Sequence, residues 1–216
     1  FLAQRSEFLL DDGSHLIRLA HDTQRCPGVL DALVGAAEET TSGLRPLRSF
    51  DLRIPVLASN DARSKTLFDN AYGTGQSCWT TILDLIDPRG VGAPVAGMSV
   101  VVIGYGDVGR GCARFGAALG ARVTVVELDP VRALQASMDG FAVASLEETA
   151  ASADMLISAT GERSTIPLSA LEAAPGGAIV TVAGGVDGEV SIDEAVAASW
   201  VMAESGDPHV QTLTSP

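Results

Sequence analysis

Ser99-Val100-Val101-Val102-Ile103-Gly104-Tyr105-Gly106-Asp107-Val108-Gly109, then a helical stretch through Ala118, then Arg122-Val123-Thr124-Val125-Val126-Glu127: this segment decides the fold. A run of β-branched residues, a glycine loop, a helix and a second β-branched run make one β-α-β unit. Gly104 permits the tight turn, Gly106 lets the backbone approach a pyrophosphate, and Gly109 lets the helix close on the strand. Asp107 and Val108 open that helix, whose first N–H groups carry a partial positive charge, and Asp107 is expected to cap it. Glu127 follows Gly106 by 21 residues. There a carboxylate accepts hydrogen bonds from both hydroxyls of a ribose and repels a 2′-phosphate, which predicts NAD rather than NADP. A glycine-rich turn in an α/β domain without a ligand accounts for the glycines but not for Glu127.

Downstream the alternation continues. The pattern predicts a helix from about Pro130 to Met138, a short strand near Phe141 to Ala144, a helix over Leu146 to Ala151, and strands at Met155–Ala159 and Ala178–Val182. Short apolar strands separated by helices indicate an α/β fold of Rossmann type, a doubly wound parallel sheet. Thr160 and Gly161 follow the C-terminal end of a strand, where such sheets hold ligands, and join the cofactor-binding candidates. Pro88-Arg89-Gly90-Val91-Gly92-Ala93-Pro94 is the expected turn into the domain. The chain divides into a partial second lobe handling substrate (1–75), the NAD-binding domain (76–205) and a tail (206–216).

Composition narrows the function. Hydrophobic residues make up 46% and charged residues 19%, as in an ordinary globular protein, and no apolar stretch approaches the ~18 residues of a membrane span. No basic and apolar leader opens the chain, so a soluble, cytoplasmic protein is expected. Cys26, Cys78 and Cys112 are odd in number and not spaced as metal ligands, which argues against a disulfide framework and against a metal. Net charge is −13; residues 1–75 carry ten acids and eight bases, and the remainder seventeen acids and six bases. So acidic a second part repels nucleic acid and anionic lipid, and any phosphate must be held there by backbone N–H groups.

One lysine, Lys65, stands against thirteen arginines. An amine, unlike a guanidinium, can lose its proton in a site near neutral pH. Three polar clusters share its half of the chain: Asp11-Asp12-Gly13, Glu38-Glu39-Thr40-Thr41-Ser42-Gly43, and Asn60 to Ser77 with Lys65, Asp69, Asn70 and Tyr72. Singly they read as turns, helix ends or solvated faces. Jointly, Asp12, Glu39, Lys65 and Asp69 supply acids and bases beside a redox cofactor.

In this order, and followed by Gly104-Tyr105-Gly106-Asp107-Val108-Gly109-Arg110-Gly111 and Glu127-Leu128-Asp129-Pro130, the clusters resemble the S-adenosyl-L-homocysteine hydrolase family. The resemblance runs from about Leu10 to Glu189. It implies a tightly held NAD that oxidises a nucleoside 3′-hydroxyl, removal of the acidified C4′ proton, β-elimination at C5′, addition of water and re-reduction. By matching motif, Lys65 would take the 3′-hydroxyl proton with Asp69 as partner, Asp12 would act at C4′ and Glu39 would hold sugar hydroxyls. Asn70, Thr40, Thr41 and Ser42 would line the nicotinamide side. A homo-oligomer acting on a nucleoside, with no nucleic-acid or membrane partner, is expected.

The sequence also departs from that pattern. The family's Asn-Ile-Gly-His-Phe-Asp segment reads Val182-Ala183-Gly184-Gly185-Val186-Asp187, so Gly185 replaces its histidine. Its Gly-His-Pro segment is matched to Gly206-Asp207-Pro208, and an asparagine beside the cofactor amide to Trp200. The family's His-Met-Thr motif and C-terminal tail have no counterpart in these residues. Three readings follow: a divergent nucleoside enzyme such as a 5′-dehydratase, a genuine S-adenosylhomocysteine hydrolase, or a non-catalytic NAD-binding regulator. Lys65, Asp69, Asp12 and Glu39 argue against the last, because cofactor binding alone does not require them.

Overall fold

A computed structural model describes residues 6–92, 94–186 and 188–216. Ala93 of the expected turn and Asp187 of the divergent segment lie outside the described residues. The chain forms two compact units, Phe1–Phe68 and Asp69–Pro216.

The first unit contains β1 (Phe8–Asp11), α1 (His15–His21), β2 (Gly35–Glu38), α2 (Thr41–Leu47), β3 (Val56–Ala58), a 3₁₀ turn at Ser59–Asp61 and α3 (Arg63–Lys65). The three strands pair in parallel in the order β1-β2-β3. Side chains alternate across a strand, so Leu9 faces inward onto Ile17, Ala20, Ala36 and Leu47 while Phe8 and Leu10 face out. His21 is a structural residue. Its Nε2 accepts the Arg53 N–H at 3.0 Å, which leaves Nδ1 protonated to donate to the Ile17 carbonyl at 2.8 Å. The polar clusters conceal this second parallel sheet in the sequence, because its strands are three or four residues long and the first two end in charge.

A wide π-type helical run, Thr66–Thr74, begins in the last residues of the first unit and continues into α4 (Gly75–Ile86) of the second. There follow β4 (Ser99–Ile103), α5 (Asp107–Ala118), β5 (Arg122–Val126), α6 (Pro130–Met138), β6 (Ala142–Val143), α7 (Leu146–Thr149) and a 3₁₀ turn (Ala150–Ser152). Then come β7 (Met155–Ser158), α8 (Leu168–Ala173), β8 (Ile179–Val182), α9 (Ile192–Ala197), β9 (Val201–Glu204) and β10 (Gln211–Thr214). The parallel sheet runs β6-β5-β4-β7-β8, so chain direction across the sheet reverses between β4 and β7. Both faces of β4 are buried, Val100 and Val102 in one apolar cluster and Val101 and Ile103 in the other, which is why it reads as an unbroken apolar run.

The Rossmann-type doubly wound fold is thus as expected, with strand limits shifted by a residue or two. The helix expected over Leu146 to Ala151 tightens to a 3₁₀ turn after Thr149. Residues 206–216, expected as a tail, contain β10, antiparallel to β9, with Leu213 packed against the Val101 cluster. Gly206-Asp207-Pro208 is the turn of this hairpin, and Trp200 packs on the same cluster. Both are held by hairpin formation and core packing.

α4 lies against α5 through glycine. A Cβ at Gly75 would sit 2.7 Å from the Gly111 carbonyl carbon, and one at Gly116 would sit 2.7 Å from the Trp79 ring. Trp79 donates its indole N–H to the Cys112 carbonyl at 2.7 Å. The Cys78 thiol, hydrogen-bonded with Cys112, is lowered to about 7 against the opposing effect of burial, while Cys112 is raised by the same bond and by burial. Since the thiolate is the nucleophile, alkylation of Cys78 should accelerate as pH rises through about 7, measured by mass spectrometry after timed iodoacetamide labelling. Gly111→Val would drive its side chain into the Ala71 carbonyl, so a loss of about 2 kcal/mol or more is expected in urea unfolding.

Candidate functional site

Gly104 has φ +94°, a left-handed conformation that suits glycine, and a Cβ there would lie 3.0 Å from both the Ala159 carbonyl oxygen and Thr160 Cγ2. Its N–H bonds the Val126 carbonyl at 2.8 Å. At Gly109 a Cβ would overlap the Gly104 carbonyl oxygen, so α5 seats directly on the loop. Gly106 is the N-cap of α5, and the nearest group to a Cβ there is the Arg132 guanidinium, at 3.8 Å. The expected cap by Asp107 is not made: Asp107 is the first helical residue, and its carboxylate accepts from Arg110 Nη2 at 2.8 Å. Val108, half-buried, packs on the Val100 cluster.

Glu127 sits just past β5, half-buried. Its Oε2 accepts the Tyr105 N–H at 2.7 Å, and Oε1 accepts those of Leu128 and Asp129 at 2.7 and 2.9 Å. Three backbone donors orient the carboxylate; Oε1 already accepts two of them, so the lone pair left for a hydroxyl is on Oε2. Tyr105 is buried and donates its phenol to Asp139 at 2.8 Å. Burial, the bond to Asp139 and the charge of Asp139 raise its pKa. The result is a loop that offers N–H groups, a fixed acid and one guanidinium at the carboxyl ends of β4 and β5.

After β7, the Thr160 hydroxyl lies 3.1 Å from Glu189 Oε2, and Gly161 has φ +65°. Glu189 is fully buried, and sequence reasoning missed it because its partners are 29 and 31 residues away along the chain. Arg132 was missed as well, since only the docking of α6 turns it toward Gly106.

In the first unit, Asp12 follows β1, Glu39 follows β2, and Lys65 lies on the short helix after β3, so all three are at the carboxyl edge of one parallel sheet. The Lys65 ammonium donates to the Glu39 carbonyl at 2.6 Å, and the Glu39 N–H donates to the Asp11 carbonyl at 3.1 Å. Asp12 is exposed and Glu39 half-exposed. Their neighbours Asp11 and Glu38 do the structural work. Asp11, buried, accepts the N–H groups of Asp12 and Ile17. Glu38, fully buried, accepts the N–H groups of Gly13, Ser14 and Thr40 and the Thr40 hydroxyl. Glu38 therefore ties the Asp12 loop to the Thr40 loop.

Thr40 also caps α2 through the Gly43 N–H at 3.1 Å. The Ser42 hydroxyl donates to Thr40 Oγ1 at 3.5 Å, and Thr41 Oγ1 accepts from Asn60 at 3.1 Å. Asp69 (exposed) and Asn70 (buried) stand on the π-type run in the second unit, a distortion frequent at functional sites. Phe68 and Tyr72 are exposed. His15 is exposed beside Gly13. No helix among the described residues is long and apolar enough to cross a membrane.

Residues 70–215 match the S-adenosyl-L-homocysteine hydrolase NAD-binding domain family. The chain is 43% identical over 195 residues to adenosylhomocysteinase of Thermotoga maritima, covering 88% of this chain and 46% of that protein. To S-inosyl-L-homocysteine hydrolase of Methanothermobacter thermautotrophicus it is 45% identical over 169 residues, covering 76% and 39%. It thus spans less than half the length of these relatives. Dipicolinate synthase A chain from Bacillus subtilis superposes with TM-score 0.58 at 15% identity, covering 82% of this chain and 57% of that one, a likeness of fold.

Removing the Glu127 carboxylate should weaken NAD by about 10- to 100-fold, the loss expected for hydrogen bonds to a charged group. Titration calorimetry of Glu127→Ala with NAD checks this.

Proposed function

Because this chain belongs to the S-adenosyl-L-homocysteine hydrolase family, with an NAD-binding domain over residues 70–215, we propose that it takes part in cleaving a homocysteine thioether of a purine nucleoside. Support comes above all from the carboxyl edge of the first sheet, where Asp12, Glu39 and the one lysine of the chain lie at successive strand ends, with Lys65 Nζ on the Glu39 carbonyl. Bound NAD supplies a hydride acceptor for a secondary alcohol. The glycine loop fits such a group, since the neighbours of Gly104 and Gly109 leave no room for a Cβ while Gly106 has open space before Arg132.

On this reading Lys65 takes the proton of the nucleoside 3′-hydroxyl, with Asp69 as its partner. Asp12, exposed at the end of β1, takes the C4′ proton, and Glu39 accepts from sugar hydroxyls. Glu127 would hold the adenosine ribose of NAD, and the N–H groups opening α5, with Gly104, Gly106, Asp107, Val108 and Gly109 forming the loop, would hold its phosphates. Thr160 and Gly161, with Asn70, are assigned to the nicotinamide side. Thr40, Thr41 and Ser42 are assigned there too, and their existing hydrogen bonds would fix their orientation. The 5′-dehydratase alternative draws no support from the relatives' names, so the thioether reading is preferred.

The test is release of free thiol from S-adenosylhomocysteine and S-inosylhomocysteine, with a nucleoside bearing a free 5′-hydroxyl as control. Thiol from either thioether with no dehydrated control product is expected; a control product lighter by one water would instead establish the dehydratase. No thiol and no NADH absorbance with any of the three would leave the NAD-binding regulator. Lys65→Arg should keep NAD affinity and lose about 10²- to 10⁴-fold in the rate of NADH formation. A fully active Lys65→Arg protein would remove the lysine from the mechanism.

A further inference from the structure

Glu189 is fully buried, precedes α9, and belongs to neither the glycine loop nor the acid–base set. Its backbone is rigidly mounted. Ile166 N–H bonds the Glu189 carbonyl at 2.9 Å, Ser191 N–H bonds the Ile166 carbonyl at 3.0 Å, and Ser164 N–H bonds the Gly188 carbonyl at 2.7 Å. One carboxylate oxygen, Oε2, accepts the Ser158 hydroxyl at 2.5 Å, the Thr160 hydroxyl at 3.1 Å and the Thr160 N–H at 3.3 Å. The other, Oε1, is buried with no hydrogen-bond donor among the described residues and faces Gly184, where a Cβ would overlap it.

Those contacts gather two loops. Ser158 ends β7, and its carbonyl accepts the N–H groups of Ala183 and Gly184, just past β8, at 2.7 and 3.2 Å. Thr160 in turn sets its methyl group where a Cβ at Gly104 would lie 3.0 Å away. A charge buried on such uneven terms is costly and adds little that an apolar side chain would not add to a core. In a sheet of this order a dinucleotide crosses the point of reversal between β4 and β7. Glu127 and β5 mark the adenosine half, which leaves the ends of β7 and β8 to the nicotinamide half.

We propose that Glu189 is a positioning residue that fixes the nicotinamide half of the NAD crevice, by holding Thr160 and the Gly184 backbone in one arrangement. The inference rests on the NAD-binding domain and not on the nucleoside reaction. It acts through Thr160 and makes no contact with the reacting atoms.

The experiment compares NAD with ADP-ribose, which lacks only the nicotinamide, by calorimetry on the full chain. Glu189→Met, similar in length but without an acceptor, should lose about tenfold or more for NAD and less than about twofold for ADP-ribose. Glu189→Gln, which keeps one oxygen for Ser158 and Thr160, should restore NAD affinity to within about threefold. Gly184→Ala displaces the carboxylate from the opposite side with every polar group intact, so it should show the same selective loss even if the Met variant does not fold. Equal losses for both ligands, or no loss in any folded variant, would overturn the proposal. Since turnover is not read, absence of thioether cleavage would leave this result standing.

Discussion

The closure of α5 onto β4 is the contact on which the second unit depends. Gly109 lies against the Gly104 carbonyl so closely that no side chain fits between them, and Gly104 adopts φ +94° to turn the chain there. A Cβ at Gly109 would lift the helix, and the first N–H groups of α5 would no longer face the carboxyl edge of the sheet; one at Gly104 would press on Ala159 and Thr160 after β7. The same helix is pinned from its far side by α4, where Gly75, Gly111 and Gly116 let backbone and indole meet backbone. A strongly acidic chain needs such a device, because it has few cations with which to hold phosphate and must rely on oriented dipoles.

Both units use one further solution to a shared problem. Loops beyond the ends of short parallel strands carry the polar residues, and loops do not hold their own shape. In the first unit the buried Glu38 collects donors from the Asp12 and Thr40 loops, and Gly43 makes room for it. In the second, the buried Glu189 collects donors from the β7 end, and Gly184 makes room. Each acid is matched with a glycine because a carboxylate of that size fills the space a Cβ would take. The acids of the proposed chemistry, exposed Asp12 and half-exposed Glu39, are positioned beside their buried neighbours Asp11 and Glu38.

Much of this was legible in the sequence where the signal is local. The spacing of Gly104, Gly106 and Gly109, the β-branched runs and the terminal Glu127 placed β4, α5 and β5 within a residue, because strand and helix periods are properties of neighbouring residues. Asp107 misled because an acid at a helix start resembles a cap, whereas Arg110, one turn on, takes its carboxylate. The hairpin of β9 and β10 was hidden because its strands are short and largely exposed.

What the sequence alone determined is the doubly wound sheet, the NAD-binding loop and the set of polar residues from which a site is drawn. The tertiary structure decided which of each acidic pair is buried, that Lys65 rests on the Glu39 carbonyl, and that Glu189 and Arg132 reach strand ends far from them in the chain. The physical reason is range. Backbone conformation follows from residues a few positions apart, while burial and hydrogen bonding of a carboxylate depend on which distant segments the packed core brings beside it.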